Sequence, residues 1–188
     1  MTSLLEPAPE LRRYLGLDLG GTNIKVVVIE VRQQQHARAR AGDPGGLQIV
    51  ARETYPTEAH RGPRGVVDRL AEVGRYGLDR HGPVAAIGVG LPGLFDEGTG
   101  RTVLIPNLPG HWNGVPVRGP LVAALGQPVA LINDARAFSL AEALLGAARG
   151  LGTVVCVVLG TGVGGGVVVD GRLLRGTGTA GEIGHQTV

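Results

Sequence analysis

The chain holds a single cysteine, a single lysine, one tryptophan and no apolar run longer than a strand. Each shortage excludes a class. Cys156 alone rules out a disulfide within the chain. Its setting, Val154-Val155-Cys156-Val157-Val158, reads as a small apolar side chain in a buried strand rather than a reactive thiol. With Lys25 as the only lysine, positive charge is carried by arginine, and a formal net charge of +2 is too small an excess for nucleic-acid binding. The one local basic run, His36-Ala37-Arg38-Ala39-Arg40, lies in a stretch bordered by Gln, Gly and Pro that reads as a solvated hairpin loop. The longest apolar runs, residues 26–29 and 154–159, fall far short of a membrane span. Residues 1–13 carry Glu6, Glu10 and two prolines and nothing resembling a signal peptide. The expected location is cytoplasmic, with no membrane or nucleic-acid partner.

What is abundant is glycine, 33 residues of 188 against an average of about 7%. Adjacent glycines therefore arise by chance, and their setting counts for more than their number. Two settings stand out. Asp18-Leu19-Gly20-Gly21-Thr22-Asn23-Ile24-Lys25 lies between the apolar runs 14–17 and 24–31, which predicts a hairpin whose glycine turn carries a carboxylate. Leu159-Gly160-Thr161-Gly162-Val163-Gly164-Gly165-Gly166 repeats the arrangement downstream. Backbone N–H groups in such turns form anion-binding concavities, and two facing turns could grip one polyphosphate. Ordinary Gly-rich β-turns remain the alternative for either loop.

A chain of 188 residues is one large or two small domains with a proper core. Periodicity predicts a third strand at 47–55, a helix over 64–78 punctuated by Gly77 and Gly82, and a strand at 84–89 stopped by Leu91-Pro92-Gly93. A short hairpin follows at 96–107, leading into a polar loop from Asn107 to Trp112, then a helix at 117–125. A strand at 127–132 delivers Asn133-Asp134 to the start of a helix over 135–148. This junction has two readings: Asn133 or Asp134 caps the helix, or Asp134 is a carboxylate in the crevice beyond the carboxyl ends of the strands. Glu182-Ile183-Gly184-His185 also has two, a surface acid with a loop histidine or a pair suited to a sugar's hydroxyls.

The order of these motifs says more than any one of them. Asp-x-Gly-Gly-Thr-x-x-Lys, then Pro-Gly, then Asn-Asp, then Gly-Thr-Gly-x-Gly-Gly-Gly, then Glu-x-Gly-His resembles the ROK family of sugar kinases and sugar-responsive repressors, bacterial glucokinases above all. The likeness spans Gly16 to His185. It implies an α/β, ribonuclease H-like, actin-type ATPase (hexokinase-like) fold. A tail at 1–13 would precede an N-terminal domain at 14–126, and 127–188 would begin an incomplete second domain.

The resemblance also implies ATP-dependent phosphorylation of a hexose, glucose giving glucose 6-phosphate, with ATP and Mg²⁺. Asp134 would be the general base. Asp18 would organise magnesium through water, and Gly20, Gly21, Thr22 and Lys25 would meet the terminal phosphates. Gly160, Thr161, Gly162 and Gly164 would form the opposing clamp. Gly93, Asn107, Asn133, Asp134, Glu182 and His185 would line the sugar pocket, and a full-length form would be a homodimer. The family's zinc-binding cysteine run is absent, so His185 alone of that ligand set is present and no zinc is expected. Arg136 stands where many members carry a second asparagine. The expectation is a C-terminally truncated chain with an open sheet edge and a bare apolar face at 152–169. Two alternatives are a non-catalytic remnant and a sugar-sensing regulator without its DNA-binding domain.

Overall fold

The computed structural model describes residues 11–32, 46–160, 162–176 and 179–185. The basic run at 36–40 and Thr161 lie outside the described residues, and of His185 only the backbone is described.

Strand β1 (Leu11–Leu19) turns through three residues into β2 (Asn23–Arg32), and β3 (Leu47–Pro56) pairs antiparallel with β2. Helix α1 (Gly62–His81) crosses over to β4 (Ala86–Leu91), which runs parallel to β1 on its other side. A small hairpin, β5 (Leu94–Asp96) and β6 (Arg101–Leu104), precedes helix α2 (Arg118–Leu125) and strand β7 (Val129–Asn133), parallel to β4. The resulting five-stranded sheet has the order β3-β2-β1-β4-β7. Helix α3 (Asp134–Leu144) then leads to a three-stranded antiparallel sheet, β8 (Thr153–Leu159), β9 (Val163–Val169) and β10 (Arg172–Leu173), in the order β10-β9-β8.

The first core follows from pattern. Leu15, Leu17 and Leu19 alternate on β1, Ile24, Val26 and Val28 alternate on β2, and all six are buried. They share one cluster with Val66, Leu70 and Val73, the inner stripe of α1. Helix α1 lies close because Gly74 and Gly77 face Leu125 and Leu15, where an added Cβ would stand 2.9 and 3.0 Å from the nearest leucine methyls.

Several expectations need correction. Gly77 lies inside α1 as a packing residue, and only Gly82, at φ 79°, ends the helix. The first strand begins at Leu11, inside the expected tail. The strand expected to open a second domain is β7, hydrogen-bonded into the first sheet, so the chain leaves that sheet at Asn133 rather than at residue 126. Helix α3 stops at Leu144, short of 148. The Gly146 amide bonds back to the Ala141 and Glu142 carbonyls, and the Glu142 carboxylate takes the Ala147 amide at 2.9 Å, closing the end early. Strand β8 is covered on one face only. Cys156 is half-buried toward α3, its Sγ 4.0 Å from the Ser139 carbonyl, while Val155, Val157 and Leu159 are 60%, 52% and 78% exposed.

Candidate functional site

Three parallel strands of the first sheet end together. Asp18 on β1 pairs in register with Gly90 on β4, and Gly90 with Ile132 on β7. One edge therefore presents Asp18, the Leu91-Pro92-Gly93 turn and Asn133-Asp134 side by side, with β1 and β7 two strand spacings, about 10 Å, apart. This edge is the place where open α/β sheets bind ligands.

Asn133 is the N-cap of α3, its Oδ1 accepting from the Arg136 amide at 3.1 Å. Its Nδ2 donates to the Gly93 carbonyl at 3.0 Å, tying β7 to the turn after β4. Gly93 sits at φ 88°, and a Cβ there would run into the Leu104 carbonyl, so this turn needs glycine for its own geometry. Of the two residues the sequence offered as the cap, Asn133 is the one that caps. Asp134 occupies the first helical position and is exposed to solvent, with Oδ1 accepting from the Ala135 amide at 2.8 Å. Its pKa is raised, by the partial desolvation around it and by the negative charge of Asp18 across the strand ends, against a lowering from the Ala135 amide.

The β1–β2 turn is pinned from several sides. The Gly20 amide bonds to the Asn23 carbonyl at 2.9 Å, and a Cβ on Gly21 would approach the Asn107 carbonyl to 3.0 Å. Thr57, fully buried, donates its hydroxyl to the Gly20 carbonyl at 2.7 Å and its amide to the Thr22 carbonyl at 2.9 Å. Thr57 belongs to no motif, since its partners lie more than a strand and a loop away in sequence. Lys25 is the register partner of Asp18, and its Nζ stands 3.8 Å from Asp18 Oδ2. Both side chains are well exposed, so the pair neutralises charge without adding much stability.

The β8–β9 turn behaves differently. A Cβ on Gly160 or Gly162 would meet nothing within 4 Å among the described residues. Gly164 and Gly166, by contrast, face Ala135 and Ser139 of α3, where a Cβ would stand 2.8 Å from the Ala135 Cβ and 2.6 Å from the Ser139 Oγ. Gly164 is accounted for by the helix lying on it. The Glu182 segment folds over the same strand, with Ile183 against Gly165 and Gly184 against Val163. Glu182 Oε1 lies 3.7 Å from Arg136 Nη2. The structure therefore gathers Asp18, the first turn with Lys25 and Asn107, Gly93 and Asn133-Asp134 at one edge. It sets Gly164 and Glu182 against the helix that starts there.

A cavity of about 30 Å³ between Gly93, Leu94, Phe95, Glu97, Asn133 and Arg136 marks the floor of this region. The larger depression, about 230 Å³ between Tyr55, Tyr76, Asp79 and Arg80, contains none of these residues. Among the described residues no three His, Cys, Asp or Glu side chains gather as a metal cluster. Asp18 and Asp134 still suit magnesium, which keeps most of its waters and takes one or two carboxylates besides phosphate oxygens. Among the described residues no helix is long and apolar enough to cross a membrane.

The profile of the ROK family matches residues 14–188. A glucokinase from Thermotoga maritima is 36% identical over 181 residues, covering 96% of this chain and 52% of its own. An N-acetyl-D-glucosamine kinase from Vibrio parahaemolyticus is also 36% identical, covering 92% of this chain and 52% of its own. A ROK family glucokinase from Streptomyces griseus, solved in complex with glucose and AMPPNP, superposes with a TM-score of 0.74 at 29% identity over 94% of this chain and 51% of that one. The chain spans about half the length of the curated relatives it matches. Its mixed α/β architecture is the actin-like ATPase fold of those kinases over that half. By fold, by motif order and by these matches, the chain belongs to the ROK family.

Proposed function

We propose that this protein phosphorylates a hexose from ATP, glucose first among the candidates, with Asp134 as general base. The observation that carries the reading is the shared edge of β1, β4 and β7, where the negative charge of Asp18 helps to raise the pKa of Asp134 beside the first glycine turn. Phosphoryl transfer asks a protein mainly for positioning and charge neutralisation. The exposed Gly21 and Thr22 at the first turn and the unobstructed Gly160 and Gly162 at the second offer close backbone approach to phosphate oxygens from two sides. Lys25 supplies a cation beside Asp18. Magnesium, when bound, neutralises phosphate charge, and Asp18 is the residue to hold its waters.

The sugar would lie between Gly93, Asn107, Asn133 and Glu182. Asn133 keeps one Nδ2 hydrogen and one Oδ1 lone pair beyond its bonds to Gly93 and Arg136, enough for a hydroxyl. The raised pKa of Asp134 strengthens it as an acceptor for the proton of the attacking hydroxyl. The match to an N-acetyl-D-glucosamine kinase favours 2-acetamido sugars as a second substrate class. Assay of ADP release with ATP and a panel of hexoses and N-acetylhexosamines tests the reading. Turnover with glucose is expected, and no turnover and no calorimetric binding with any sugar would overturn it.

A further inference from the structure

The proposed sugar pocket contains a charged residue that the reaction does not require. Arg136 sits in the first turn of α3, three residues after the Asn133 cap, and its side chain is only 7% exposed. The guanidinium reaches Glu182, itself 19% exposed, from a different element, with Nη2 and Oε1 3.7 Å apart. Glycine at 166 lets α3 lie this close to β9, since a Cβ there would stand 2.6 Å from the Ser139 Oγ on the same helix. The same arginine lines the small cavity with Asn133 and Gly93.

We infer that Arg136 is a positioning residue for sugar recognition, holding the Glu182 side chain aimed so that its carboxylate accepts a hydrogen bond from a sugar hydroxyl. The inference rests on the sugar-kinase reading above. Oε1 faces the guanidinium, and the other carboxylate oxygen would take the sugar hydroxyl. The arginine then acts through Glu182 rather than on the sugar. Its removal weakens sugar binding while leaving nucleotide binding in place.

The test is a double-mutant cycle on the full-length protein, with steady-state kinetics for the sugar and for ATP and a thermal unfolding curve for each variant. Arg136→Met is expected to raise the sugar KM about tenfold, equivalent to roughly 1.4 kcal/mol, with the ATP KM unchanged and kcat reduced less. Arg136→Lys is expected to recover part of the loss. In a Glu182→Gln background the same substitution should cost little more, because its target is gone. An unchanged sugar KM in Arg136→Met, or an equal loss in both backgrounds, overturns the inference while leaving the kinase reading intact. A wild-type protein that neither phosphorylates nor binds any sugar overturns both. Should Arg136→Met fail to fold, Arg136→Lys carries the same cycle, and additivity with Glu182→Gln again decides against the inference.

Discussion

The two sheets use the same residues, valine and glycine, to different ends. In the five-stranded sheet the buried alternates of β1 and β2 meet α1 and α2, and one continuous cluster runs from Leu15 to Val129. In the three-stranded sheet Val154 and Val168 are the buried hydrophobics, packed with Ala143 of α3, while Val155, Val157 and Val163 are exposed. The glycines divide in the same way. Those of α1 let a helix settle onto a core, and Gly164 and Gly166 let α3 lie on β9, but a Cβ on Gly160 or Gly162 would meet nothing within 4 Å among the described residues. The first sheet carries one continuous core. The second is a presenting surface, and the candidate chemistry lies at the seam where Asn133 hands the chain from one to the other.

The sharpest test of that seam is Asp134→Asn. If the seam carries the reaction, turnover should fall by about 10² to 10⁴ while calorimetry shows sugar binding largely retained. Near-normal turnover would return Asp134 to an ordinary helix terminus. Stability should move the other way. Because its folded pKa is raised, Asp134 contributes most to stability below the ordinary carboxylate pKa, and that contribution is lost as pH rises through the raised value. At neutral pH the asparagine variant should therefore unfold no earlier than wild type in urea.

Core truncation measures the contrast between the sheets directly. Leu70→Ala, in the fully buried centre of the first core, should cost about 2–5 kcal/mol by urea unfolding. Val157→Lys, on the bare face of β8, should stay within about 0.5 kcal/mol and should lower aggregation seen by light scattering, since exposed apolar strand edges invite pairing. Equal costs at the two positions would mean that the face of β8 is covered in solution.

A glycine pair separates packing from ligand approach. Gly166→Ala places a methyl against Ser139 and should destabilise by about 1–3 kcal/mol. Gly162→Ala has open space and should leave the unfolding midpoint unchanged, yet raise the KM for ATP if this turn meets phosphate. The smallest effect expected is on titration. Asp18→Asn should lower the pKa of Asp134, followed by carboxyl NMR, because it removes the second of the two causes that raise it.

Sequence alone determined what local chemistry fixes. The apolar runs of β1 and β2, the inner stripe of α1 and the strand-to-helix step at Asn133-Asp134 were all legible because each is written in neighbouring residues or in residues three or four apart. The order of the glycine turns and the acid motifs carried the family for the same reason. Tertiary structure decided the rest. That β7 joins the first sheet is a matter of register with β4, and a run of apolar residues does not encode its partner. That Thr57 holds the Gly20 turn, that Gly164 and Gly166 accommodate a helix, and that Arg136 meets Glu182 are contacts between distant segments. Side-chain identity permits such contacts, but only the packing of one element against another selects which of them form.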